Sequence, residues 1–341
     1  MTAQQRTPAP FLAPVPNSPV GAGETPTFSV VIPVYQAAGT ISEAICSALG
    51  QSTPPLQVIV SDDGSTDDIA GALAPFKDRI LVVRGENAGA AAARNRGLAV
   101  ASGEFVVFLD SDDAWLPEYL ERLGALAEAR PDLDLLSADV FYEADDEIVG
   151  RFYELNRFDV ANQRHAVLSS CFVGWPAARR GRLAAIGGFD ESLKIAHDWD
   201  AWARMILSGA KAGLVTEPLV RYRLRPGSLA SDIPRSLRER VVFLDRLGAH
   251  PDVGPDDLAA LAAARRFAEG RALFAEAKES LAAGEPGARR RAFAVARAGG
   301  LPWKRRLLGL GAAAFPGIAG AALRRRTPSG ERRRARFGVN S

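Results

Sequence analysis

FVVFLDSDDAW, residues 105–115, decides how the rest of the chain is read. Phe105 to Leu109 are all apolar, and they run straight into Asp110, Asp112 and Asp113. A run this short and this apolar reads as a strand buried on both faces. Crowded carboxylates repel, and one of them is driven toward protonation unless a cation sits between them. Hard oxygen ligands suit Mg²⁺ or Mn²⁺, and Mg²⁺ usually keeps one or two carboxylates and completes its shell with substrate phosphates. The stretch therefore reads as half of a divalent-metal site that a diphosphate would complete. A loop whose aspartates cap a helix or shape a turn fits the same spacing, and spacing alone leaves both readings open.

Other short β-branched runs surround it: FSVVIPVY (28–35), LQVIVSDD (56–63) and ILVVR (80–84). Helical patterns fill the gaps, through Leu49 and over NAGAAAARNRGLAVA (87–101). Pro117 sits where a first helical turn tolerates it, opening PEYLERLGALAEA. Alternation at this spacing predicts βαβ units and an α/β fold with a mostly parallel sheet. Ligands of such sheets bind beyond the carboxyl ends of the strands. Asp62-Asp63 and Asp110-Asp112-Asp113 both fall at such ends, so both clusters are expected on one edge. Further along, 132–142 and 212–224 read as strands flanking the helix WDAWARMILSG, and from about 233 the pattern is helical.

The composition, 47% hydrophobic and 24% charged over 341 residues, is that of a globular protein with ample core. Cys46 and Cys171 form no metal spacing and no disulfide framework, and both are expected buried and inert. Charge is unevenly placed. Glu285–Ser341 holds 14 Lys/Arg against 2 Asp/Glu, which leaves 28 against 38 in the preceding 284 residues. A basic tail on an acidic body points to an anionic partner or is simply a solvated, floppy tail, and the acidic body argues against a nucleic-acid duplex. Residues 1–27 read as a disordered Pro-rich leader without a signal-peptide core. LLGLGAAAFPGIAGAAL (307–323), broken by Pro316 and flanked by KRR and RRR, fits a segment lying in a membrane interface better than one crossing it.

Four segments in order carry a resemblance: VVIPVYQAAGTISEAICSAL, VIVSDDGSTDD, NAGAAAARNRGLAVASGEFVVFLDSDDAW and GGFDE…HDWDAW. Together they resemble the family 2 glycosyltransferases of the GT-A, nucleotide-diphospho-sugar transferase fold, over roughly 28–231. The resemblance implies roles. Pro33, Val34 and Tyr35 match the strand end that cradles the nucleotide base. Asp63, beside Asp62, matches the carboxylate that binds the base, commonly uracil; a carboxylate can accept an imide N–H. Arg94 resembles a basic residue near the diphosphate, although a surface helix arginine fits equally. Asp110, Ser111, Asp112 and Asp113 match the DxD motif, which holds the metal (Mn²⁺ or Mg²⁺) and the ribose.

In HDWDAW the family usually has Glu-Asp, with the Asp as general base. Here His197 replaces the Glu and Asp198 keeps the base position. The plain reading is a helix start, with Asp198 as N-cap and Trp199, Trp202 and Ile206 on one face. His197 either tunes that base or contacts the acceptor, although a lone histidine is more often structural. Gly188, Phe189 and Asp190 of the GGFDE motif are placed on the acceptor side, and 143–170 is expected to form more of that surface. Arg223 in RYRLRPGS is the first choice for closing over the diphosphate, since guanidinium pairs bidentately with phosphate. The QxxRW of processive synthases is absent, which favours transfer of a single sugar.

The resemblance implies an inverting enzyme moving one sugar from a nucleotide-diphosphate donor, UDP-sugar favoured, to a cell-envelope or lipid-linked glycan acceptor. It would work in the cytoplasm, at the inner face of the cell membrane. The expected organisation is a transferase domain over 28–231, a helical appendage over 232–300 and a basic, partly apolar tail over 301–341. A non-catalytic sugar-nucleotide binding module is the alternative, disfavoured because metal carboxylates and base position are both filled. A nucleotidyltransferase would want a Gly-rich triphosphate loop, and VIPVYQAAGTIS offers only Gly39. A dinucleotide oxidoreductase lacks GxGxxG after the first strand.

Overall fold

The computed structural model describes residues 25–155, 158–171, 176–225 and 232–325. The leader up to residue 24, the tail beyond Arg325 and residues 226–231 of the RYRLRPGS segment lie outside the described residues.

The strands are β1 (Phe28–Val34), β2 (Gln57–Asp62), β3 (Leu81–Arg84), β4 (Phe105–Phe108), β5 (Ala114–Trp115), β6 (Leu135–Ala144), β7 (Glu147–Arg151), β8 (Ala177–Arg179) and β9 (Ala212–Arg223). The helices in the first half are α1 (Ile41–Leu49), α2 (Ile69–Leu73), α3 (Ala90–Val100), α4 (Tyr119–Ala129), α5 (Phe152–Leu155), α6 (Gln163–Val167) and α7 (Arg180–Ala185). Then come α8 (His197–Leu207), α9 (Ile233–Leu247), α10 (Pro255–Ala283), α11 (Ala288–Arg297), α12 (Trp303–Ala314) and α13 (Pro316–Arg325).

One sheet runs in the order β3-β2-β1-β4-β8-β6-β9-β5, with β7 beside β6. β1 pairs in parallel with β2 and β4, and β2 with β3. β8 is antiparallel to β4 and β6, while β6 and β9 are parallel. The expected mostly parallel α/β sheet is thus parallel in its first half and mixed in its second. Successive residues of the central strands serve opposite faces. Val31, Ile59, Val106 and Phe108 join one core with α3, α8 and α9, whereas Val30, Ile32, Val58, Val60 and Val107 join the other with α1 and α4. Burial on both faces is why these strands read as unbroken apolar runs.

α3 lies unusually close to β1. A Cβ on Gly97 would fall 2.3 Å from Val31 Cγ1, so only glycine lets the Ala-rich helix seat there. Pro117 does not open α4, contrary to expectation. It stays in the preceding turn, where its carbonyl accepts the Ser52 N–H at 2.8 Å, and the helix starts two residues later.

The expected C-terminal helical region is present, but its first half is no loose appendage. Phe243, Leu244 and Leu247 of α9, with Leu261, Ala264 and Ala268 of α10, share the core of α8. Farther along α10 the packing becomes local, with Leu281, Ala288, Ala292 and Ala313 in a small cluster of their own. Cys46 is exposed rather than buried, because it lies on the outer side of α1, whose Ile41, Ala44, Ile45 and Ala48 face the core. Among the described residues no single helix is long and apolar enough to cross a membrane; α12 and α13 would reach that length only together, and they bend by 113° at their junction.

Candidate active site

The register places Val34 beside Asp62, and β4 on the other side of β1, so the carboxyl ends of three strands form one edge. Pro33 and Val34 are buried in β1, and Tyr35, 50% exposed, is the member of that segment whose side chain faces solvent. Gln36 follows with φ of 53°, a costly left-handed backbone for a non-glycine residue. It is held by the loop after β2: the Gln36 N–H donates to Ser65 Oγ, and its side-chain oxygen accepts from the Asp67 N–H at 3.0 Å.

Asp62 and Asp63 are both buried and engaged. Asp62 accepts the Ser65 N–H at 2.9 Å and pairs with Arg84 at 3.1 Å. Asp63 accepts the N–H groups of Ala88 and Gly89, the latter at 2.7 Å, and pairs with Arg96 at 3.2 Å. Asp63, expected to meet the nucleotide base, thus also has structural partners. It holds the start of α3, and a base edge would share it with these donors.

Three consecutive residues of α3 each fasten a different part of the edge. Arg94 donates to Asp110 Oδ1 at 2.5 Å and meets Nε2 of His197. Asn95 donates to the Phe189 carbonyl and accepts the Phe189 N–H, both at 2.9 Å. Arg96 holds Asp63. Arg94 is thus no surface arginine: its side chain is 9% exposed. Asn95 and Arg96 were not singled out in the sequence. The only signal for them was their place in AARNRG, since their partners lie 94 and 33 residues away.

The three aspartates of DSDD take different parts. Asp110 gives one oxygen to Arg94 and keeps partial exposure, and Ser111 is likewise half-exposed. Asp112 is held above its ordinary pKa by burial and then by the charge of Asp110. Asp113 is corrected as a metal ligand. Its carboxyl is turned into the protein, where Oδ1 accepts the Arg223 N–H at 2.9 Å. Burial first, and its two acidic neighbours second, push it well above the ordinary carboxylate range. Pairing of β5 with β9 at Ala114–Arg221 fixes that inward turn. Among the described residues no three His, Cys, Asp or Glu side chains converge as a metal site. The chain itself therefore offers two carboxylates, Asp110 and Asp112, close enough that Asp110 raises the Asp112 pKa despite the nearby arginines, a pair that fits a divalent cation completed by phosphate oxygens.

Asp198 is the second residue of α8, not its N-cap, which is Ala196. Trp202 and Ile206 are buried as expected, and the Trp199 indole donates to the Val167 carbonyl at 2.7 Å. The half-buried Asp198 carboxyl has a raised pKa, chiefly through desolvation, opposed by Arg94 and augmented by Asp110. The base position and the DSDD loop therefore lie within electrostatic reach of one another. His197 is 5% exposed, which favours its structural or tuning reading over contact with the acceptor. Burial and the adjacent Arg94 cation hold it well below its usual pKa, so it is neutral at pH 7. A guanidinium can only donate, so Nε2 accepts.

One further expectation changes. The Arg223 guanidinium is paired with Glu43 and, at 3.5 Å, with Glu143, so it is already neutralised. Arg225, its side chain 40% exposed and 4.0 Å from Asp112, is the freer cation of that segment. Gly188, Phe189 and Asp190, expected on the acceptor side, line a cavity of about 320 Å³ and also build a support. Arg204 binds the Gly188 carbonyl at 2.7 Å, Phe189 stacks edge-on against Phe108, and Asp190 pairs with Arg246 at 2.8 Å.

A mixed α/β sheet, parallel in its first half, with acidic clusters and arginines at the carboxyl edge of that half, has the architecture of the GT-A class of nucleotide-diphospho-sugar transferases. The sequence matches the glycosyl transferase family 2 profile over residues 29–184. TuaG of Bacillus subtilis, a glycosyltransferase assigned to teichuronic acid biosynthesis, is 30% identical over 214 residues, covering 61% of this chain and 82% of TuaG. The chain belongs to that family. WfgD of Escherichia coli, a UDP-Glc:alpha-D-GlcNAc-diphosphoundecaprenol beta-1,3-glucosyltransferase, is 29% identical, covering 62% of this chain and 83% of WfgD. The chain spans only 36–59% of the length of some other curated relatives. The structure of S. aureus TarS 1–349 with UDP-GlcNAc superposes with a TM-score of 0.60, covering 88% of this chain and 89% of that one. At 18% identity this likeness concerns the fold.

Proposed function

We propose that this chain is an inverting glycosyltransferase that moves one sugar from a nucleoside-diphosphate donor, UDP-sugar favoured, to a hydroxyl of a cell-envelope or lipid-linked glycan. The observation that carries the reading is Asp198, a half-buried carboxylate of raised pKa on the edge shared with Arg94, Asp110 and Asp112. A raised pKa brings a carboxylate closer to the range where a general base is effective. Asp198 takes the proton from the acceptor hydroxyl as that oxygen bonds to the anomeric carbon. The bond from that carbon to the diphosphate oxygen breaks in the same displacement, and the anomeric configuration inverts. Arg225 is placed to neutralise charge gathering on the leaving diphosphate. Arg94 is already held by Asp110 and His197, so it orients Asp110 rather than gripping phosphate. Tyr35 offers its exposed ring to the base, with Asp63 bonded through its N–H to the neighbouring Val34 carbonyl.

Asp110 and Asp112 would hold a divalent metal, Mn²⁺ or Mg²⁺, which when bound supplies electrostatic stabilisation of the leaving diphosphate. UDP as the carrier is supported by the donor named for WfgD and by the ligand in the TarS structure. The WfgD acceptor, a diphosphoundecaprenol glycan, supports a lipid-linked acceptor here and a reaction at the inner face of the cell membrane. The test is incubation of the purified protein with UDP-, GDP- and dTDP-sugars, with Mn²⁺ and with chelator. Release of nucleoside diphosphate from one donor, abolished by chelation, is expected. Donor binding without release under any condition, including added envelope glycolipids, would mark a binding module.

A further inference from the structure

We propose that the outer face of α12, with α11 and α13 beside it, docks on an anionic phospholipid bilayer. Most helices bury their large apolar residues and expose small or polar ones. α12 does the reverse. Gly309 and Ala313 pack inward, and a Cβ on Gly309 would lie 2.8 Å from the Ala292 carbonyl of α11. Trp303, Leu307 and Leu308 point outward, joined by Phe293 of α11, Phe315 at the bend and Ile318 of α13. These six side chains are 49–70% exposed. Large apolar side chains exposed together on three contacting helices mark an interaction site.

The charge around it selects the partner. From Pro286 to Arg325 there are nine Lys/Arg and no Asp/Glu. A cavity of about 630 Å³ opens between α11 and α12, with Phe293, Leu310 and Ala314 in its walls and Arg289 and Arg290 at its side. Both arginines are exposed and lie beside the apolar surface, the arrangement that takes acyl carbon inward and phosphate outward. The pair docks on the surface and does not span. α13 is fastened to α10, where a Cβ on Gly320 would lie 2.4 Å from the Leu281 carbonyl, and the 113° bend keeps α12 and α13 from forming one straight rod.

The proposal stands whether or not a sugar is transferred, because it is read without donor. The full chain is sedimented with vesicles of phosphatidylcholine alone or mixed with phosphatidylglycerol. Wild type should bind the anionic vesicles, weakly at high salt, and not the neutral ones. The charge-conserving pair Leu307→Ser and Leu308→Ser should lose about tenfold in binding, as should Arg289→Gln with Arg290→Gln. Both pairs are exposed, so circular dichroism melts should match wild type. Undiminished binding by the Leu pair would overturn the proposal and leave the basic tail to act alone. Absence of vesicle binding, with self-association that the Leu pair disrupts, would overturn it in favour of a second copy of this chain.

Discussion

Two aspartates show how environment divides one residue type into two functions. Asp198 has a pKa raised by desolvation, so its ionised form is lost as pH falls through a value above that of an ordinary aspartate. The acid limb of the kcat profile should sit correspondingly high, and Asp198→Asn should lower kcat by about 10²–10⁴-fold with little change in donor KM. Asp113 is raised further and by the same cause, but it faces β9. Its protonated form is the one the fold favours. That contribution is complete below the unfolded aspartate pKa of about 3.9 and is lost as pH rises through the folded value. Asp113→Asn keeps an acceptor for the Arg223 N–H. Its Tm should match wild type near pH 4 and exceed it near pH 8, measured by thermal melts. An equal Tm at both would contradict the inward, protonated carboxyl.

α3 is the element that joins the parts, because Arg94, Asn95 and Arg96 reach α8, the Gly188–Phe189 turn and Asp63 in succession. Asn95→Ala removes both bonds to Phe189 and should cost about 1–3 kcal/mol in denaturant unfolding. Gly97→Ala should cost a similar amount, about 1–3 kcal/mol, by overpacking against Val31. Arg225→Ala should raise donor KM, while Arg223→Ala should mainly lower Tm, since Arg223 is spent on Glu43 and Glu143. The strands and their acidic ends were legible in the sequence because burial on both faces leaves short, unbroken apolar runs. The partners were not. Arg223 meets Glu43 across 180 residues and Arg94 meets His197 across 103, distances over which spacing carries no information. DSDD reads as three equal carboxylates, and only the pairing of β5 with β9 decides that Asp113 turns inward.

The whole molecule separates its charges by task. The acidic body holds the edge with the aspartate clusters, and the basic, apolar-faced helices from Pro286 onward pack along α10 from Arg266 to Leu281. A soluble sugar nucleotide and a membrane-borne acceptor could thus be met by different regions of one chain. The first half of the helical segment shares the core of α8, so changes in α9 or α10 should reach the helix that carries Asp198. The central claim is that Asp198 is the base of a glycosyl transfer on the edge built by Arg94, Asp110 and Asp112. The measurement that tests it most directly is nucleoside diphosphate release from the preferred UDP-sugar with Mn²⁺, for wild type and Asp198→Asn at matched donor occupancy. The account predicts release by wild type and a loss of about 10²-fold or more in the variant. Release by the variant at the wild-type rate would contradict it.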